Sequence, residues 1–150
     1  MDDDISELLP PGEQPPVRTQ QELFDYWRAL MGPLGFSRPM LWVCFISADD
    51  VVAPVISQID DLPKFPDREL LTNLMWILKN AALDGNEGSS VAMLLSRPGR
   101  SDLRTTDRAW ARGLASAASA SGVPLRPLYL ATDESIRVVA VDDLLGPDAA

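Results

Sequence analysis

Leu41-Trp42-Val43-Cys44-Phe45-Ile46 is an unbroken apolar run of strand length, closed by Ser47. It has no polar alternation, so a strand made from it has no face to give to water. Such a strand is buried on both sides and lies in the middle of a sheet. Ala48-Asp49-Asp50 reads as a turn, and Val51, Val52, Val55, Ile56 and Ile59 continue as a second strand. Together they predict a β-hairpin. Pro54 has no N–H to give to a ladder, which puts the second strand at an edge or a bulge.

Helical periods flank this hairpin. Thr19 followed by Glu22 is a capping box, and Leu23, Tyr26, Trp27, Leu30 and Met31 then share one face up to Gly32-Pro33. Asp67 caps a second helix reaching about Ala82. Leu70, Leu71, Leu74, Met75, Ile77, Leu78 and Leu83 give it a stripe wide enough for deep burial. Ser90–Leu95 is a third strand. Thr105 or Thr106 caps an Ala-rich helix with Trp110, Leu114, Ala117 and Ala118 inward, ended by Gly122 and Pro124. Pro127–Thr132 and Ile136–Val141 are the last strands. The order α-β-β-α-β-α-β-β, with helical crossovers, predicts an α/β fold: a mixed β-sheet with helices packed on it.

At 150 residues the chain is one domain. Residues 1–17 are acidic and Pro-rich and read as a mobile tail, 18–145 as the domain, and 146–150 as a flexible end. Ile5, Leu8 and Leu9 could also form a short docking motif. No apolar run is long enough to span a membrane, and the acidic start is no signal peptide. One cysteine permits no internal disulfide, so an intracellular, cytoplasmic location is expected. Alanine-rich composition with arginine favoured over lysine suggests a bacterial source.

Chemistry is excluded more readily than assigned. Histidine is absent. That removes Ser-His and Cys-His nucleophiles, imidazole acid/base work and most zinc sites. A net charge of −9 disfavours nucleic acid and anionic membranes as partners. The aspartate pairs Asp49-Asp50, Asp60-Asp61 and Asp142-Asp143 sit at turns and show no convergence of the kind a hard cation needs. Cys44 lies in the most apolar strand, where a thiol is inert. Ser96 stands after a strand, but no Gly-x-Ser-x-Gly surrounds it. The four tryptophans occupy apolar positions in four elements and read as core.

Against this acidic background residues 97–112 carry five arginines against Asp102 and Asp107. Arg104, Arg108 and Arg112 are spaced as one helical stripe, and Arg97 and Arg100 precede them in a Pro-Gly loop. Helix N-termini attract anions. Arg97, Arg100, Arg104, Thr105 and Thr106 are therefore candidate anion ligands. Arg108, Arg112 and Trp27 are candidates for partner contact. A solvated face paired with nearby acids, or a basic face for an acidic partner, fits the same arginines.

Four segments in order carry a family likeness: Leu94-Leu95-Ser96-Arg97-Pro98-Gly99, then Thr105-Thr106-Asp107, then Gly122-Val123-Pro124-Leu125, preceded by the 41–59 hairpin. Over residues 40–144 this resembles the JAB/MPN metalloprotease-like superfamily, in particular its RadC-type branch. The resemblance aligns the two metal histidines with Leu95 and Arg97, and the third ligand with Asp107 if the loop is one residue short. The catalytic glutamate falls near Ala53-Pro54. It therefore implies a metal-free, non-catalytic member with no cofactor, working as a protein-interaction or scaffold domain. Such members pair with another subunit. Self-association, as a homodimer through the first helix or the edge strand at Pro54, is one form of this reading. The alternative is a small-ligand or phosphate sensor built on the Arg97–Arg100 loop. A histidine-free enzyme using the aspartates and a supplied divalent ion is a third.

Overall fold

A computed structural model describes residues 16–83 and 87–139. Helix α1 (Gln20–Met31) starts as its sequence requires. Thr19 Oγ1 accepts from the Glu22 N–H at 3.0 Å, and Glu22 Oε1 accepts from the Thr19 N–H at 3.1 Å. Strand β1 (Met40–Ile46) turns through Ser47–Val51 into β2 (Val52–Asp60). Asp50 takes a positive φ of 66° there, a conformation that aspartate tolerates better than most residues. Helix α2 (Arg68–Ile77) continues as a π-helical segment, Leu78–Leu83. Strand β3 (Ser90–Ser96), helix α3 (Thr105–Ser121) and the short strands β4 (Tyr129–Ala131) and β5 (Ile136–Val138) follow.

The fold is α/β. Its five-stranded mixed sheet has the order β2-β1-β3-β4-β5. β1 runs antiparallel to β2 and β3, β3 and β4 are parallel across the α3 crossover, and β5 returns antiparallel. Side chains alternate across the sheet. Leu41, Val43, Val91, Met93, Leu95, Leu128 and Leu130 meet α2 and α3 on one face. Cys44, Ile46, Ala92, Leu94, Tyr129 and Ala131 meet Leu23, Tyr26 and Trp27 of α1 on the other. The unpatterned runs in β1 and β3 are thus covered by helices on both sides.

Arg126 closes the α1 side. Its guanidinium donates to Ser90 Oγ (3.0 Å), the Val17 carbonyl (2.7 Å) and Asp50 Oδ1 (2.8 Å). Val17 is buried and its N–H bonds to the Asp50 carbonyl at 2.7 Å. This corrects the expected tail boundary: Val17 belongs to the domain. Residues 1–15 and 146–150, read as tails, lie outside the described residues, as do Ile5, Leu8, Leu9 and the Asp142-Asp143 pair.

Two further expectations need correction. α2 is not deeply buried: only Leu71, Leu74 and Met75 are buried within it, while Trp76 is 66% and Ile77 52% exposed. Its stripe is wide because it serves two surfaces, the core and a face beside β2. Trp76 therefore leaves the set of core tryptophans. β2, with Pro54 in it, does lie at the sheet edge.

Candidate functional site

The site forms where β3 ends and α3 begins. Residue 97 continues the β3 alternation toward α3, so its side chain turns inward and meets the first turn of that helix. Arg97 is 7% exposed and Asp107 5%. Nε and Nη2 of Arg97 donate to the two Asp107 oxygens at 2.8 and 2.7 Å, a bidentate pair. Nη2 also reaches the Asp102 carbonyl (2.9 Å), and Nη1 reaches those of Pro98 (3.1 Å) and Arg100 (2.9 Å). All five guanidinium N–H groups are thereby used. Asp107 Oδ2 also accepts from the Arg104 N–H at 2.9 Å, so the carboxylate at the third helical position caps α3. One ion pair therefore holds the loop to the helix from inside.

The turn after β4 holds the same loop from outside. Asp133 accepts from the N–H groups of Gly99 (2.8 Å) and Phe36 (2.9 Å). Glu134 Oε1 accepts from the Ser101 N–H at 2.8 Å. The Gly99 N–H, then that of Phe36, stabilise the Asp133 carboxylate and lower its pKa from the ordinary 3.8. Gly99 has a φ of +104°, and a Cβ there would stand 2.6 Å from Arg104 Nη2. A glycine lets the loop pass beneath Arg104.

Beside this corner lies a cleft of about 510 Å³. Leu62, Pro63, Leu95, Trp110 and Leu130 give it apolar walls, and Lys64, Arg104, Thr105 and Thr106 give it polar ones. Trp110 is fixed by a bond from its Nε1 to the Pro63 carbonyl at 3.0 Å. The cleft sits at the carboxyl end of β3 and the amino end of α3, where open α/β sheets place ligands.

The arginine cluster does not act as one group. Arg97 is removed from the candidate anion ligands because its donors are spent internally. Arg100 is exposed and does not line the cleft. Arg104 precedes the helix rather than continuing a stripe with Arg108 and Arg112, which are partly exposed on α3. Arg104, Thr105 and Thr106 do come together. Trp27 is 0% exposed in the α1 core, so it presents no surface to a partner. Cys44 is buried and its thiol is pushed up to about 12 by burial. Ser96 Oγ accepts from Trp42 Nε1 at 2.9 Å. Asp60 accepts from Arg38 (2.8 Å) and from the Asp61 N–H (2.7 Å), and Asp61 has a φ of 55°. Both the Asp49-Asp50 and Asp60-Asp61 pairs do turn work. Among the described residues no three His, Cys, Asp or Glu side chains gather as a metal site.

Sequence reasoning missed Lys64, Leu62 and Pro63 as cleft residues, and Asp133 and Glu134 as loop anchors. An adjacent acid pair following a Pro-Gly loop that exposes N–H groups was the available signal. No protein-family model matches the chain, and no curated protein is detectably similar to it.

Proposed function

We propose that this chain is a non-catalytic protein-interaction domain whose docking face is the outer side of α2 with the open edge of β2. The observation that carries the reading is the exposure of two adjacent large apolar side chains at the end of α2, Trp76 and Ile77, with Phe65 (54%) exposed in the loop before the helix. Neighbouring large apolar side chains left exposed mark interaction sites. Ile59 of β2 and Leu70, Leu74 and Ile77 of α2 line a shallow groove between strand and helix, with Asp67, Glu69 and Asn73 as its polar part. Among the described residues no strand pairs with the outer edge of β2, so backbone groups there are open to a partner strand.

A second support comes from the corner at β3. In the JAB/MPN-like reading, metal ligands align with Leu95, Arg97 and Asp107. Here Leu95 is core, and the Asp107 carboxylate is already saturated by the Arg97 guanidinium and the Arg104 N–H. Two of the three aligned positions, Arg97 and Asp107, are then paired with each other, which supports a structural role for the corner.

Site-specific photocrosslinking in cells tests the proposal. A photoreactive residue at position 76 should give a discrete protein adduct, and one at exposed Ala120 on α3 should not. Adducts of monomer mass only, or equal yields at both positions, would overturn it.

A further inference from the structure

From the cleft between the β2–α2 loop and the start of α3, we infer a binding site for a small organic anion with an aromatic or branched aliphatic body. The inference is independent of the docking face on α2. Two observations carry it. The first is shape and polarity: about 510 Å³ is the size of a small-molecule site, and its walls are mainly apolar, with Leu62, Leu95, Trp110 and Leu130 facing one space. The second is charge. Lys64 and Arg104 both line that space, and among the described residues neither cationic group has a hydrogen-bond or ion-pair partner. Two such cations lining one mainly apolar cleft stand out in a chain of net charge −9. A ligand with a negative head and an apolar body complements both features.

The internal bonds narrow the ligand class. Gly99 and Ser101, whose N–H groups would cradle a phosphate, already bind Asp133 and Glu134. Arg97 and Asp107 also line the cleft, but their charges are spent on each other. What remains is Lys64, Arg104 and the hydroxyls of Thr105 and Thr106, which suit one carboxylate. The apolar walls then supply most of the affinity and the charge supplies selection.

The test uses the full chain and three probes of graded chemistry: 4-phenylbutyrate, its neutral amide, and inorganic phosphate. Amide chemical shifts of Thr105, Thr106 and the Trp110 indole report on the cleft. 4-Phenylbutyrate should shift these signals saturably, and the amide should bind at least tenfold more weakly. Lys64→Ala with Arg104→Ala should abolish that preference while leaving the melting temperature within about 2 °C. Lys64→Arg should retain it, which separates charge from packing. Equal binding of acid and amide would overturn the inference, as would stronger response to phosphate or shifts confined to other regions. Silence of the three signals at millimolar probe would overturn it too.

Discussion

Asp107→Ala should be among the most damaging single substitutions in the domain. The side chain removed accepts three hydrogen bonds, two from Arg97 and one from the Arg104 N–H. Its loss leaves a guanidinium that is 7% exposed without its counter-charge, and two of five donors without acceptors. Removing one partner of a buried pair costs about 3–5 kcal/mol, against a total of about 5–15 kcal/mol for a domain of this size. Arg97→Met/Asp107→Leu removes both charges at similar volume. It loses the helix cap and the loop anchor but strands no ion, so about 1–2 kcal/mol is expected. Urea denaturation followed by tryptophan fluorescence measures both, with an unchanged slope showing that stability alone has moved. The double variant must be the more stable of the two. A double variant no better than Asp107→Ala, or an Asp107→Ala loss below about 1 kcal/mol, would refute the account of this corner as a mutually dependent buried pair.

Three further outcomes follow from the same geometry. Asp133 has a lowered pKa, so its contribution is full above the ordinary 3.8 and disappears as the pH falls through the lower folded value. The melting-temperature gap between wild type and Asp133→Asn should therefore be present at pH 6 and shrink below pH 3.8; a gap constant with pH would contradict this. Gly99→Ala should cost about 1–2 kcal/mol because its φ of +104° strains any side chain. The loss should persist in an Arg104→Ala background, where the contact is gone; full rescue there would make the effect steric. Cys44, with its thiol pushed up to about 12, should react with a disulfide reagent only through opening of the fold, at a rate that urea raises steeply. Rapid labelling of the native protein would place Cys44 at the surface.

What the sequence revealed and what it concealed divide along a physical line. Local signals were legible. The Thr19/Glu22 box, the Gly122 stop at φ 74° and the proline that marks β2 as an edge each act within a few residues. The unpatterned 41–46 run announced burial on both faces because no other environment accepts it. The site was less legible because its bonds cross large separations. Gly99 and Asp133 are 34 positions apart, and Trp110 and Pro63 are 47 apart. Five arginines in sixteen residues look like one basic cluster in a string of letters. Strand parity then turns Arg97 inward, a helix cap takes Arg104, and α3 carries Arg108 and Arg112 elsewhere. Trp76 and Ile77 read as core because composition cannot say which side of a helix another element will cover.

The long reach of Arg126 has a consequence for synthesis. Arg126 to Val17, and Tyr129 OH to the Gln20 carbonyl, each join groups 109 residues apart. Helix α1 leaves the ribosome well before Arg126 and Tyr129, and these two bonds can form only after both residues have emerged. At ordinary elongation rates that delay is about 5–20 s. Until it ends the Leu23–Trp27 face lacks part of its cover, Tyr129 and Ala131 of β4, and has at most β1 and β3 to rest on. A nascent chain of this design holds the apolar face of α1 only partly covered during that interval. Shortened products that end before Arg126 would keep that face partly uncovered and become natural clients for holding chaperones.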